Sequence, residues 1–204
     1  ECLVGVLFLL VWLKFDLVAE GRVLGLDPIV QWPLVPVYWL VLAGLVLGTF
    51  VDFEHLIIPD RVTLGGIAAG LILSVVVPSL HGADTWLGGL ARGVIGAAAG
   101  WGLLWFVARA GRLVFKKEAM GFGDVKLLGA IGAFLGWRAV LFTVVVSSLL
   151  GALVGIALVL SRRRELQSRI PYGPYLALAA AVWVYWGPQL WRLYTGLLLG
   201  SPVL

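Results

Sequence analysis

Cysteine is almost missing from this sequence, with Cys2 alone among 204 residues. One cysteine excludes an internal disulfide, and neither histidine belongs to a Cys/His group with the spacing of a zinc site, so we expect no metal. A secretory signal is also missing. The apolar run from Cys2 to Leu13 has no basic region before it and no small-residue cleavage site after it, and because the first residue is Glu1 we expect the natural chain to start upstream.

Charge is scarce as well. Only 13% of the residues are charged, 61% are hydrophobic, and the mean hydropathy is +1.03. One soluble core cannot bury so much apolar surface, so the chain is predicted to lie in a lipid bilayer. The isoelectric point near 9.5 does not indicate a nucleic-acid partner, because the basic residues stand at the ends of apolar segments, where membrane orientation accounts for them.

Seven apolar segments define the predicted architecture: Cys2 to Phe15, Val37 to Val51, Val62 to Leu80, Trp86 to Ala108, Val125 to Gly136, Ala139 to Ser161 and Tyr172 to Leu199. They predict an all-α, polytopic membrane bundle of about seven spans that forms a single domain over residues 1–204. The first and fifth segments are shorter than the ~20 residues that cross the hydrocarbon layer. Each is therefore extended by its flanking residues or stops partway.

Basic residues are distributed unequally between the two ends of these segments. Ten fall at one end: Arg61, Arg109, Arg112, Lys116, Lys117, Lys126, Arg162, Arg163, Arg164 and Arg169. Five fall at the other: Lys14, Arg22, Arg92, Arg138 and Arg192. Because cytoplasmic loops carry the excess of Lys and Arg, the first end is predicted to face the cytoplasm, together with residues 52–61 and 109–124.

Two acidic residues at that end are the candidates for chemistry, since ionisable groups near a bilayer are costly and often functional. Asp52 follows an apolar run that is predicted to continue as a helix to about Leu56, which puts the acid about one turn, ~6 Å, inside the helix end. Asp124 opens an apolar helix directly after Gly121-Phe122-Gly123. Glycine at these two positions permits tight backbone geometry and the close approach of another chain.

Carboxylates from two separate helices at one end of a bundle could converge on one water molecule. Two close carboxylates cannot both stay ionised cheaply, so one keeps a proton while the other acts as a general base. The ionised acid would take a proton from the attacking water, and the protonated acid would donate to the tetrahedral oxygen. This chemistry needs neither a metal nor a nucleophilic side chain.

These residues resemble a known family. Gly121-Phe122-Gly123-Asp124 is similar to the GxGD signature of intramembrane aspartyl proteases, and its continuation from Val125 to Gly136 resembles the prepilin peptidases, or type IV leader peptidases. The stretch from Asp52 to Ile58-Pro59-Asp60 resembles the first catalytic segment of that family. The segment from Ile170 to Tyr175 resembles a further family segment that leads into the last helix.

The resemblance implies an aspartic endopeptidase of the bacterial inner membrane, with Asp52 and Asp124 as catalytic residues. It would cleave a short basic leader from type IV prepilins or pseudopilins at the cytoplasmic face, without a cofactor. Many bacterial members carry an N-terminal cytosolic domain, with paired cysteines linked to methylation of the new N-terminus. That domain is not in this sequence, so methylation with S-adenosylmethionine is not expected of these residues.

Structural roles compete with the catalytic ones. Asp52 could be an interfacial acid at a helix end, and Asp124 a helix N-cap. Asp60, after Pro59, is interpreted most simply as the N-cap of the next helix. Lys126 could tune Asp124 electrostatically or anchor the membrane surface, whereas Glu54 and His55 are expected to be solvated or to face substrate.

Two other functional classes fit an apolar helical chain. A transporter or proton-coupled channel would place polar residues deep inside several helices, but the acids here stand at one end and the segment interiors are almost wholly apolar. An assembly factor without chemistry is the other alternative. Incubation with a prepilin, scored by a shift in gel mobility, separates both from a peptidase.

Overall fold

The computed structural model describes residues 2–20, 33–116, 120–161 and 171–199. These ranges are helical, as expected, and contain no β-strand. The helices are α1 (Cys2–Glu20), α2 (Leu34–His55), α3 (Asp60–Val76), a short 3₁₀ helix (Pro78–His81), α4 (Trp86–Phe115), α5 (Phe122–Leu160) and α6 (Gly173–Leu199). Several basic residues used above for orientation lie outside the described residues: Arg22, Lys117, Arg162, Arg163, Arg164 and Arg169.

Three of these helices are long and apolar enough to cross a membrane: α2, the Trp86–Val114 part of α4 and the Phe122–Leu158 part of α5. A shorter apolar helical stretch covers Cys2–Lys14. The short first segment is extended by its flanking residues, since α1 continues to Glu20. The length and apolar character of these helices therefore indicate a membrane protein, in agreement with the composition of the chain.

The expected number of about seven helices was wrong, because the described residues form six α-helices. The predicted fifth and sixth segments join at Gly136, within α5, where φ is 80° and ψ is 173°. Glycine adopts such a backbone conformation without steric cost. A Cβ built on Gly132 would lie 3.0 Å from Val140 Cγ2, whereas eight residues of continuous helix would span ~12 Å. The two arms of α5 therefore fold back on each other at Gly136.

α5 packs against α3, α4 and α6. The buried apolar side chains of its arm before Gly136 are Val125, Leu127, Leu128, Ala130, Ile131, Ala133 and Phe134, so this arm lies at the centre of the bundle. Glycines bring α4 and α5 into backbone contact: a Cβ on Gly96 would overlap the carbonyl of Gly132, and a Cβ on Gly132 would overlap that of Gly96. Small residues at such crossings allow close packing where lipid supplies no hydrophobic driving force.

The helices define two ends of the bundle. Asp60 begins α3 at one end, and the 17 residues of α3 carry the chain ~25 Å along the helix axis to the 3₁₀ helix at the other. Near the first end lie the end of α2, the start of α5 and the start of α6. Near the second lie the 3₁₀ helix and the bend at Gly136, where a Cβ would stand 3.6 Å from His81 Nδ1.

Candidate active site

Asp52 lies in the last turn of α2 and is only 5% exposed. The helix ends just after it, as the sequence predicted: His55 is the last helical residue, and Leu56 adopts a left-handed conformation with φ 54°. The Leu56 backbone N–H donates to the Asp52 carbonyl at 3.0 Å and completes this turn. The Asp52 side chain is thus directed into the protein at the very end of an apolar helix, unlike an exposed interfacial acid.

Asp124 lies in the first turn of α5 and is 7% exposed. The helix begins at Phe122, so Asp124 is its third residue and not its N-cap, in contrast to the structural alternative. Its backbone N–H donates to the Gly121 carbonyl at 3.2 Å. Two buried acids therefore come from a helix that ends and a helix that begins at the same end of the bundle.

One cavity of about 230 Å³ is lined by both acids. The two carboxyl groups are close enough to interact electrostatically. Asp52 Oδ2 is buried without a well-formed hydrogen bond among the described residues, although the Gly173 backbone lies beside it. A buried carboxyl oxygen in this state is available to accept a hydrogen bond or a proton.

Asp60 lines the same cavity but differs from the two buried acids. Its side chain is 63% exposed, and its Oδ1 atom lies 2.6 Å from Lys126 Nζ in an ion pair. The expected N-cap role was wrong, because Pro59 occupies the N-cap position and Asp60 is the first helical residue. The Pro59 carbonyl accepts from the backbone N–H groups of Val62 and Thr63, so the turn is already closed without the carboxylate.

Lys126 connects the two sequence motifs. Besides pairing with Asp60, its ammonium group lies 5.2 Å from the centroid of the Phe122 ring. Two roles were expected for this lysine from the sequence: tuning Asp124 electrostatically or anchoring the membrane surface. Neither role included Asp60 as its partner. The ion pair joins the start of α3 to the start of α5 beside the cavity.

The two glycines of the GxGD motif make different contacts. Neither has a positive φ. A Cβ at Gly123 would stand 3.4 Å from Ile58 Cβ, so another chain segment approaches closely here, as expected. A Cβ at Gly121 would have Asp124 Oδ2 as its neighbour, also at 3.4 Å. Gly123 therefore packs against the first motif, whereas Gly121 lies next to the acid of its own motif.

Sequence reasoning missed two residues that complete the site. Gly173, the first residue of α6, would place a Cβ 2.6 Å from Asp52 Oδ2. Ile58 is 5% exposed and would contact a Cβ at either Gly123 or Gly173. Gly173 stands in the segment that resembled the family, but no local pattern assigns it a contact 121 positions away. The exposed pair Glu54 and His55 does not line this cavity.

The arrangement combines two buried carboxyl groups with a small opening at one end of an apolar bundle. Within the described ranges, no group of three or more His, Cys, Asp or Glu side chains is placed to hold a metal ion. The buried ionisable side chains of the described residues are Asp52 and Asp124. Fold and site together define an all-helical membrane protein with a paired-carboxylate cavity.

Comparison with known proteins identifies the family. Residues 39–156 match the model of the type IV leader peptidase family, a range that contains both acids. The chain is similar to the prepilin leader peptidase/N-methyltransferase of Aeromonas salmonicida, with 39% identity over 170 residues, and to that of Pseudomonas putida, with 35% identity over 187 residues. The chain therefore belongs to the type IV leader peptidase family, and the resemblance noted in the sequence is confirmed.

These relatives are longer than the region they share with this chain. The alignments cover 79% of this chain but 55% of the Aeromonas salmonicida protein, and 87% of this chain but 60% of the Pseudomonas putida protein. The chain thus spans little more than half the length of the curated relatives it matches. No solved structure matches it with significant similarity.

Proposed function

We propose that residues 1–204 form a membrane peptidase unit that cleaves the leader from type IV prepilins or pseudopilins by an aspartic mechanism. Asp52 and Asp124 are the proposed catalytic pair. The observation that carries the proposal is their burial in one cavity, inside the region that matches the family model. The named activity of the relatives supports the peptidase assignment.

Peptide hydrolysis by this pair requires one proton shared between two acids. Because the two carboxyl groups are buried and line one cavity, they cannot both stay ionised cheaply, and one of them keeps a proton. The ionised carboxylate takes a proton from water as the water oxygen attacks the scissile carbonyl carbon, and the protonated acid donates to the carbonyl oxygen. The proton taken from water then passes to the leaving amine as the C–N bond breaks, and a hydroxyl group of the tetrahedral intermediate returns its proton to the other carboxylate, which restores the singly protonated pair. No cofactor enters these steps.

Asp52 is favoured over Asp60 as the partner of Asp124. Asp52 is buried and interacts with Asp124 electrostatically, whereas Asp60 is exposed and neutralised by Lys126. A carboxylate held in an ion pair with a lysine is a poor choice for an acid that must carry a proton. The apolar side chains of Leu56, Ile57 and Phe122 are exposed beside the cavity and offer a surface for an extended peptide.

The test is cleavage of a purified prepilin by the purified chain in detergent, scored by gel mobility. Asp52→Asn and Asp124→Asn should each abolish cleavage while thermal unfolding stays close to that of the unchanged chain. Asp60→Asn is the matched control and should lower the cleavage rate by less than about tenfold, the effect of losing one exposed ion pair. Near-normal cleavage by Asp52→Asn, together with loss of cleavage by Asp60→Asn, contradicts the assignment.

The proposed orientation places the acid pair at the cytoplasmic face of the bacterial inner membrane. Arg61→Cys and Asp84→Cys, each in a Cys2→Ser background, put one exposed thiol at each end of the bundle. A membrane-impermeant maleimide should label Asp84→Cys from outside and Arg61→Cys only after the inner face is opened. The reverse pattern contradicts this orientation.

Methylation is a separate activity in the names of the relatives. We propose that this chain alone releases a mature pilin with an unmodified N-terminus, because the cysteine-bearing segment implied by the resemblance is not among residues 1–204. Mass spectrometry of the product, with S-adenosylmethionine supplied, tests the proposal. An added methyl group contradicts it.

A transporter is not favoured, since the buried polar side chains elsewhere in the described helices are uncharged: Thr63, Ser74, Thr143 and Ser147.

A further inference from the structure

A larger cavity, of about 680 Å³, lies at the end of the bundle opposite the acid pair. Three arginines and three tryptophans line it: Arg92, Arg138, Arg192, Trp137, Trp183 and Trp191. No acidic side chain is among its lining residues. The cavity therefore combines a concentrated positive charge with aromatic and aliphatic walls.

Three helices bring these arginines together. Arg92 lies near the start of α4, Arg138 follows the bend of α5 at Gly136, and Arg192 lies near the end of α6. The sequence assigned all three to one side of the membrane but gave no reason for them to be neighbours. The fold-back at Gly136 brings the three arginines together. It places the beginning of the second arm of α5 beside the 3₁₀ helix and the end of α6.

The three guanidinium groups are held in different ways. Arg92 Nη1 donates to the carbonyl oxygens of His81 and Gly82 at 2.8 and 2.6 Å. Arg138 lies over the rings of Trp137 and Trp191, with its Cζ atom 5.7 and 5.3 Å from their centroids. The guanidinium group of Arg192 makes no polar contact in the described part of the chain. None of the three pairs with a carboxylate there.

Like charges gathered at the edge of a low-dielectric bundle repel one another unless an anion compensates them. His81 adds no charge at neutral pH, because burial lowers the pKa of its ring, and its Nε2 atom is 2.9 Å from Ser74 Oγ. The charge of the cavity therefore comes from the arginines. An anionic ligand would stabilise this arrangement.

We propose that this cavity binds the phosphate of an anionic phospholipid headgroup. The planar guanidinium fork of arginine matches phosphate oxygens and forms bidentate hydrogen bonds with them. Tryptophan rings are enriched at the level of lipid headgroups at both membrane interfaces. Leu80, Ile95 and Leu135 supply an apolar wall for the acyl chains. A soluble phosphate shares the chemistry of the phosphate group but would make no use of this wall.

The test is native mass spectrometry of the full chain in detergent with phosphatidylglycerol and phosphatidylcholine supplied together. Phosphatidylglycerol should be retained preferentially. Arg192→Gln removes a guanidinium that has no contact to lose and should weaken retention roughly tenfold, the effect of one charged hydrogen bond. Arg138→Lys keeps the charge but loses the planar fork, and it should also weaken retention. Arg61→Gln removes the same charge at the other end and should bind as the unchanged chain does.

A second measurement distinguishes a lipid headgroup from soluble phosphate as the source of the bound phosphate. Inorganic phosphate is titrated against tryptophan fluorescence and should bind far more weakly than the lipid. Equal retention of the two lipids overturns the proposal, and so does undiminished retention of phosphatidylglycerol by Arg192→Gln. Tight, Arg192-dependent binding of inorganic phosphate without retention of phosphatidylglycerol identifies a soluble anion as the ligand and overturns the lipid assignment. These measurements do not depend on peptidase activity.

Discussion

Gly173 lies directly against the carboxyl group of Asp52, so that a Cβ on this glycine would stand 2.6 Å from Oδ2 and 3.3 Å from Cγ. Both distances are shorter than van der Waals contact. The start of α6 therefore limits where the Asp52 carboxyl group can lie, and any side chain at residue 173 must displace either the acid or the helix.

Gly173→Ala is expected to reduce prepilin cleavage strongly, because a displacement of ~1 Å at a reacting group can cost roughly 100-fold in rate. Gly102→Ala is the control, since a Cβ at that helical glycine meets no atom within 4 Å. Cleavage rate and thermal unfolding are measured for both variants. Full activity of a folded Gly173→Ala variant contradicts the contact as described.

The Asp60–Lys126 ion pair is expected to position the start of α5 with little effect on stability, because Asp60 is largely exposed and such pairs contribute about 0–1 kcal/mol. Asp60→Asn and Lys126→Met should each lower the cleavage rate by less than about tenfold. The double variant should be no slower than the slower single variant, because both remove one interaction. Rates that multiply in the double variant show that the residues act independently.

The backbone contact between α4 and α5 should make Gly96 intolerant of a side chain. Gly96→Ala forces a Cβ against the Gly132 carbonyl, and overpacking of this kind costs about 1–3 kcal/mol. Gly102→Ala in the same helix should be neutral or slightly stabilising, since alanine favours helix over glycine by about 1 kcal/mol. Thermal unfolding in detergent compares the two substitutions, and equal unfolding temperatures refute the close crossing.

Lys14 compensates for the backbone hydrogen bond that is missing at Pro188 in α6. Pro188 has no backbone N–H to donate to the Val184 carbonyl, and Lys14 Nζ donates to the carbonyls of Val184 and Tyr185 at 2.7 and 2.6 Å. Lys14→Met should destabilise the chain by about 1.5–3 kcal/mol, the contribution of a charged hydrogen bond. Pro188→Ala restores the missing donor, so the same Lys14→Met change should cost less in that background. Equal costs in both backgrounds contradict the compensation.

Particular residues show which features of the fold and the site could be predicted from the sequence alone. The apolar runs predicted the helical class, and the end of α2 near Leu56 agrees with the structure. The break between the fifth and sixth segments falls at Gly136, but their lengths could not show that one helical element folds back there. Asp52 and Asp124 were expected to converge because they share an end of the bundle. Asp60 was expected at the N-cap but is the first helical residue, because the helix starts one residue earlier with Pro59 as its N-cap. Its ion pair with the distant Lys126 could not be predicted from a local capping pattern.

Sequence by itself determined that this chain is a helical membrane protein of the type IV leader peptidase family, since hydropathy, charge distribution and short motifs depend on residues and their immediate neighbours. Only the tertiary structure decided which distant residues meet: Gly173 with Asp52, Lys126 with Asp60, and three arginines around one cavity. The physical reason is that these contacts join helices far apart in the chain. Their distances depend on how closely glycine-lined helices pack and where α5 bends, which no local pattern contains.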